Sequence, residues 1–335
     1  MSSQRIAVIG AGHLGSIHAK LAQQHPQATL AAIVEPNESA RNAAGQQLGA
    51  PVFATVAELP KDISAAIIAT NTPSHREVAV ELLSRGVPCL VEKPLALTAT
   101  DAWRIIDASR AADATLAVGH TERFNPVVVA MQRMQVQPRF VETHRISPFT
   151  FRSADVGVVM DMMIHDIDIV LSLTQQPLRN VDAVGVSVLA EHEDIANARL
   201  TFEDGCVANL TASRLAMKTE RKIRVFCDQA YLSLDYQKKM GIAIKKDANL
   251  DILKMARERK IDDLAELTGA DYSRMVKVEP LVISDEEPLH AELTAFVDAV
   301  TGKSTPVVTA KDGLAAVQTA QRIVESIREH DWQLT

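Results

Sequence analysis

Three side chains able to move or hold a proton lie in segments that would shelter them. These are Lys93 in Glu92-Lys93-Pro94, and Asp161 and His165 in VVMDMMIHDIDIVL. Histidine is the side chain best suited to take a hydroxyl proton near neutral pH, and an adjacent carboxylate orients it and supports its cation. Pro94 disfavours a helix at the preceding residue, so Lys93 is expected extended, directed off a strand end. A partly buried lysine either loses its proton toward neutrality or stays charged and polarises a substrate oxygen. Spacings of four and three place Asp161, His165 and Asp168 on one stripe of a helix over 156–174 that is otherwise apolar nearly all round. A helix that apolar is buried, so its polar stripe needs partners or water. The competing readings are a solvated turn lysine, a hydrogen-bonded core histidine, and a metal site from Asp161, His165 and Asp166 or Asp168. Asp166 lies about 100° around the helix from His165, which favours acid–base work, and no metal is expected. Spacing does not decide which of Lys93 and His165 is the base.

The elements that would position these residues begin with IAVIGAGHLG at 6–15: an apolar run, then Gly10-x-Gly12-x-x-Gly15 and a helical stretch. A second apolar run ends in Glu35, twenty residues past Gly15. This is the order of a dinucleotide-binding unit. Gly10 permits the tight turn, Gly12 lets the backbone approach a pyrophosphate, and Gly15 lets the helix pack on the strand. The helix N-terminus around His13 and Leu14 supplies free N–H groups and a positive dipole end. Glu35 would accept from ribose hydroxyls and repel a 2′-phosphate, which favours NAD over NADP. The alternative is an ordinary glycine turn with no ligand.

Over the first ~120 residues strand and helix patterns alternate, as in a parallel sheet covered on both faces. Strands are expected at 5–10, 28–35, 51–53, 64–70, 87–91 and 114–119, and helices at 13–25, 37–48, 55–59, 74–85 and 98–111. Ligands of such sheets lie beyond the carboxyl ends of the strands. That rule adds Thr70, Asn71, Thr72, Pro73, Glu92 and Lys93 to the cofactor site. His75 in the following helical turn is a candidate ribose contact, although local capping and packing is the favoured reading. After Asn125-Pro126 the texture changes to short β-branched or alternating segments at 139–147, 180–190, 195–203, 206–213, 222–227, 229–236, 240–244 and 275–283. Glu203-Asp204-Gly205 reads as a hairpin turn. Two helices at 288–302 and 311–330 follow, and 246–272 reads as a charged helical surface insertion. The expected fold is α/β: a Rossmann doubly wound parallel sheet over 1–122, then an α+β domain over 123–335 with a large open, mostly antiparallel sheet. The C-terminal helices are candidates to pack back on the first domain. Arg123 and Asn125, at the junction, are candidate substrate ligands, with an ion pair and turn as the alternative.

Bulk properties narrow the class. A net charge of −7 argues against a nucleic-acid partner, and no apolar run approaches the ~20 residues of a membrane span. Cys89, Cys206 and Cys227 have no metal-ligand or redox spacing, which suits a reducing cytoplasm.

Taken in order, Gly10-x-Gly12-x-x-Gly15, Thr70-Asn71-Thr72-Pro73-x-His75, Glu92-Lys93-Pro94 and Asp161-x-x-x-His165 resemble the glucose–fructose oxidoreductase/inositol dehydrogenase/rhizopine-catabolism (Gfo/Idh/MocA) family. The resemblance covers nearly the whole chain. It implies an NAD-dependent sugar dehydrogenase in which Lys93, Asp161 and His165 are catalytic and also touch substrate, and a homo-oligomer, dimer or tetramer, formed through the second-domain sheet. Arg123 matches the second arginine of the family's Asn-Arg-Arg-Phe segment; Thr121 and Glu122 replace its first two residues. Met163 stands where a glycine is usual, which bears on the local backbone rather than on the acid–histidine pair. GHTERFNP and MDMMIHDID resemble the branch that oxidises the 3-hydroxyl of UDP-N-acetylglucosamine, whose ketone an aminotransferase then converts toward a 2,3-diamino sugar of lipid A. The diphosphate of such a substrate would need cations: Arg123 first, then Arg145, Arg152 and Arg214. Other readings are oxidation of a free polyol or sugar such as myo-inositol, a non-catalytic NAD-binding sensor, and a glycosidase that uses bound NAD transiently.

Overall fold

A computed structural model describes residues 3–150, 156–246 and 276–330. Arg152 and residues 247–272 of the expected insertion lie outside the described residues.

The chain divides into two compact units, and the first is discontinuous: residues 1–125, 159–172 and 286–329. It holds a six-stranded parallel sheet of β1 (Gln4–Ile9), β2 (Ala28–Val34), β3 (Val52–Phe53), β4 (Ala65–Ile68), β5 (Cys89–Glu92) and β6 (Leu116–Gly119). The order is β3-β2-β1-β4-β5-β6, so the sequence reverses direction between β1 and β4. Every residue of β4, β5 and β6 is buried, which is why those runs, Glu92 at the end of β5 apart, are continuously apolar rather than alternating. Successive side chains serve opposite faces. One face, with Ile9, Ile68, Val91 and Val118, packs against α3 (Thr72–Ser84) and α4 (Ala99–Ala111). The other, with Val8, Ile67, Leu90 and Ala117, packs against α1 (His13–Gln24); α2 (Glu38–Leu48) lies toward the β2–β3 edge.

The linear boundary expected at 122/123 does not describe these units. After α5 (Pro126–Gln132) and α6 (Ile164–Thr174), the C-terminal helices α7 (Pro288–Val300) and α8 (Ala310–Glu329) complete the first unit. Leu293, Phe296 and Val297 of α7 join the core on the α1 face, and Leu314 and Val317 of α8 join the core on the α3–α4 face. Apolar matching of faces, not chain order, decides the division.

The second unit, residues 126–158, 173–285 and 330–335, carries an eight-stranded sheet. Its strands are β7 (Pro138–Ile146), β8 (Leu178–Val186), β9 (Ile195–Phe202), β10 (Val207–Ser213), β11 (Glu220–Cys227), β12 (Ala230–Asp235), β13 (Met240–Lys246) and β14 (Val276–Pro280). The order is β14-β13-β12-β11-β7-β10-β9-β8, antiparallel except between β7 and β10. Strand β9 alternates exposed and buried residues, the pattern of a sheet with one covered face. Gly205 turns β9 into β10 with φ of 85°, a left-handed value that glycine takes without strain.

Three local expectations need correction. The segment 55–59 is a single 3₁₀ turn, Val56–Glu58, too short to gain from helical cooperativity. The α5 helix was not anticipated. The helix expected over 156–174 is composite: a π turn at Val159–Met163 precedes α6.

Candidate functional site

At the carboxyl end of β1, Gly10 has φ of 99°, and a Cβ there would sit 2.6 Å from the Ala69 carbonyl oxygen. A Cβ at Gly15 would collide with the Gly10 carbonyl, so the helix reaches the strand only through glycine. At Gly12 a Cβ would meet nothing within 4 Å: the space before this backbone is open. Gly12 is the N-cap of α1, with no side-chain cap and no acidic residue in the first turn. An uncapped N-terminus facing open space is what an approaching phosphate requires. Glu35, past the end of β2, accepts the Ala11 N–H through Oε2 and the Asn37 N–H through Oε1, both at 3.0 Å. It therefore ties the glycine turn to the start of α2 with carboxylate lone pairs to spare for ribose hydroxyls. His13 and Leu14 open α1 beside this cradle, and Thr70 to Pro73 follow β4 at the same sheet edge. These features fit a dinucleotide.

Lys93 leaves the end of β5 through a cis Lys93–Pro94 bond. Its Nζ donates to the Asp161 carbonyl at 2.7 Å and to Asp161 Oδ1 at 3.3 Å. An ammonium carries three N–H donors. The third has no protein partner among the described residues, and the side chain keeps 16% of its surface exposed. The π turn puts Asp161 against the lysine, and His165, half-buried, follows on the first turn of α6. Lys93 and Asp161, separated by 68 residues in sequence, are thus brought into contact.

Four expected ligand groups are engaged elsewhere. His75 is buried, with Nδ1 2.9 Å from the Pro94 carbonyl and Nε2 3.2 Å from the Thr70 carbonyl. It braces the ends of β4 and β5, and burial lowers its proton affinity. Glu92 is 4% exposed, and its Oε1 bonds His18 Nε2 of α1 at 2.7 Å. The Arg123 side chain is 10% exposed, and its guanidinium lies 3.7 Å from Asp168 Oδ1. An ion pair in the interior, not a presented cation, is its observed state. Asn125 Nδ2 donates to Glu122 Oε2 at 3.0 Å and finishes the 3₁₀ turn over Thr121–Phe124. Of the weaker cation candidates, Arg145 is buried, and Arg214 is locked to Asp194 at 2.7 Å with 3% of its side chain exposed.

Beneath Lys93 lies a polar interior only partly anticipated. His120, at the end of β6, is fully buried, and burial holds it toward the neutral form. The nearest charges it senses include Asp168, Lys93 and Arg123. Burial likewise raises the Asp168 carboxyl. His18 and Glu292 are buried beside Glu92. Both are visible in sequence as polar interruptions of apolar stripes, Gly15–His18–Ala19–Ala22 on α1 and Glu292–Leu293–Phe296–Val297 on α7.

Known proteins share this arrangement of elements. The GFO/IDH/MocA oxidoreductase family, NAD-binding Rossmann fold, matches residues 4–120, and the GFO/IDH/MocA C-terminal domain matches residues 127–233. UDP-N-acetylglucosamine 3-dehydrogenase of Acidithiobacillus ferrooxidans is 36% identical over 237 residues, 70% of this chain and 75% of that one. The solved structure of UDP-N-acetylglucosamine 3-dehydrogenase GnnA from the same organism superposes with a TM-score of 0.85 at 29% identity, covering 98% of both chains. Myo-inositol 2-dehydrogenase of Thermotoga maritima is 25% identical over 315 residues, 87% of this chain and 94% of that one.

Proposed function

This chain belongs to the GFO/IDH/MocA family of NAD-binding oxidoreductases, and we propose that it oxidises the 3-hydroxyl of UDP-N-acetylglucosamine, a secondary alcohol of a sugar nucleotide, to a ketone. The Lys93–Asp161 contact at the end of β5, followed by His165, carries the dehydrogenase reading. The 36% identity to the Acidithiobacillus enzyme supports the substrate. NAD, when bound, supplies the nicotinamide that accepts the hydride of the reacting carbon. Asp161 holds the Lys93 ammonium by two contacts, which leaves one N–H to point at the substrate oxygen and stabilise charge growing there. With Lys93 an ammonium, the hydroxyl proton passes to His165; a neutral Lys93 amine would take it instead, and either base contributes typically 10²–10⁴ in rate. Glu35 and the glycine turn hold the adenosine half.

The ketone is a substrate for an aminotransferase acting next. Self-association is read on the open sheet, whose exposed face carries Val184, Val186, Ile195 and Phe226, each more than a third exposed. Light scattering that finds a monomer at micromolar concentration refutes that part alone.

The deciding experiment is an absorbance screen for NADH release with UDP-N-acetylglucosamine, UDP-glucose, myo-inositol and glucose. Turnover with the first substrate is expected. Turnover confined to myo-inositol refutes the sugar-nucleotide reading, and no NADH with any substrate favours a sensor.

A further inference from the structure

Directly behind the Lys93 turn three ionisable side chains meet out of reach of solvent. They are His18 of α1, Glu92 of β5 and Glu292 of α7, which are 0%, 4% and 1% exposed. One ligand atom from each lies within 4.8 Å of the other two. Gly119 makes the room: a Cβ there would come within 3.1 Å of the Glu92 carboxyl. The Glu92 carboxylate is occupied, with Oε1 on His18 Nε2 at 2.7 Å and Oε2 accepting the Lys93 N–H at 3.3 Å. Glu292 is not comparably served. Its Oε1 accepts from Thr121 Oγ1 at 3.1 Å, while Oε2 is buried without a partner among the described residues. The void it borders, lined by Leu90, Val118 and Phe296, is about 10 Å³, room for no more than one water.

Two carboxylates this close in a dry interior cannot both stay ionised. We propose that Glu292 is held as a neutral carboxylic acid, leaving one negative charge on Glu92, and that Glu292 is thereby a positioning residue for the Lys93 turn. Burial, then the neighbouring Glu92 carboxylate, push the Glu292 acid well above the usual carboxyl range, with Glu287 at the α7 N-cap adding in the same direction. Other ionisable groups on the elements packed against α7 are engaged or exposed, except His120 beside Thr121, which is fully buried and held toward its neutral form by burial. His25 faces the ring of His290, Glu122 takes Asn125, Arg123 lies on Asp168, and His13 and Lys20 are exposed. A second charge at Glu292 would repel the Glu92 carboxylate from the Lys93 amide it now accepts. A divalent cation would relieve the same repulsion, but the direct 2.7 Å contact between His18 and Glu92 is already a hydrogen bond and favours the proton.

The catalytic consequence rests on the dehydrogenase reading; the protonation state does not, so both are tested separately. Without NAD or substrate, isotope-edited infrared spectra at pH 7 are expected to show a protonated carboxylic acid in the native protein that E292Q lacks. A folded-state acid raised above its unfolded value loses stabilisation as pH rises. Native folding should therefore weaken relative to E292Q by up to about tenfold per pH unit above ~4.3, until Glu292 ionises. With NAD and substrate, E292A is expected to lose turnover while the NAD Kd holds, and E292Q to recover it and extend activity to higher pH. The proposal is overturned by absence of the acid band, by equal pH slopes for native and E292Q, or by tight stoichiometric divalent metal that E292Q abolishes. If infrared and unfolding agree while no substrate turns over, the acid stands and the dehydrogenase reading falls.

Discussion

Replacing Arg123 separates an interior role from a substrate role, because the two predict losses in different quantities. In the structure the guanidinium neutralises Asp168, which is 2% exposed and has Oδ2 without a hydrogen-bond partner among the described residues. Arg123→Ala leaves that carboxylate buried and unpaired. Breaking a buried pair from one side costs roughly 3–5 kcal/mol. Asp168 can limit the loss by taking a proton. That escape costs at most 1.36 kcal/mol for each pH unit between the unfolded carboxyl value and the pH, or about 4 kcal/mol at pH 7 and about 1.5 kcal/mol at pH 5. Native Asp168 is already raised by burial, so the measured differences fall below these ceilings. Urea unfolding of R123A and the native protein without ligands, at both pH values, is expected to show a deficit that shrinks on acidification. R123A/D168N should recover part of it at pH 7. The reasoning is refuted if R123A costs less than about 1 kcal/mol at pH 7, yet raises the apparent constant for a UDP-sugar ten- to a hundredfold with NAD affinity kept, the loss of a charge-assisted bond.

Because Glu35 would meet the adenosine 2′ position, NAD is expected to bind at least ~10-fold tighter than NADP, about 1.4 kcal/mol, by calorimetry; equal affinities remove Glu35 from that role. Lys93→Met or His165→Ala should lower turnover by ~10²–10⁴ while the NAD Kd is largely retained, and near-native turnover in either variant makes that residue structural. In the second unit, burial pushes Asp194 up, but the amides of Leu189, Val188 and Ala190 together with Arg214 outweigh it and hold the acid at about 2. A depressed carboxyl contributes above its unfolded value and loses that contribution as pH falls through the folded one. The stability gap between native and Asp194→Asn, roughly 2–3 kcal/mol at pH 7, should therefore close between about pH 4 and 2, and a gap constant with pH contradicts the assignment.

The strands of the first unit were legible because burial on both faces writes an unbroken apolar run, as in AAII at 65–68 and CLV at 89–91. The glycine turn was legible because each glycine answers a separate steric demand. The π turn at Val159–Met163 was not, since shifting a backbone bond by one residue leaves the apolar pattern unchanged. Nor could spacing show where Arg123 points: its partner Asp168 is 45 residues downstream, and a cation beside a polar turn reads alike whether it faces inward or outward. His75 and Glu92 stand at the sheet edge where ligands are expected; in the structure His75 meets two backbone carbonyls, the packing that its sequence context favours, and Glu92 meets the buried His18. Glu292 was passed over inside an apolar helix, although a charge on a buried stripe is itself a signal.

The split first unit sets an order of events during synthesis. Strands β1 to β6 leave the ribosome well before α7 and α8, yet Leu293, Phe296 and Val297 cover one face of that sheet and Leu314 and Val317 the other. The Val308 carbonyl accepts the Val118 N–H at 3.2 Å, a late residue closing on an early strand. A nascent chain ending before Pro288 thus leaves Leu90 and Ala117 without their α7 partners, and its nucleotide cradle stands on a sheet that α1 to α4 cover only in part. Complete packing must wait for the last helix, and until then the emerging segment keeps apolar surface exposed. Amputating the chain after residue 125 to obtain a minimal nucleotide-binding fragment would bare the patches that α7 and α8 cover, so such a fragment is expected to aggregate.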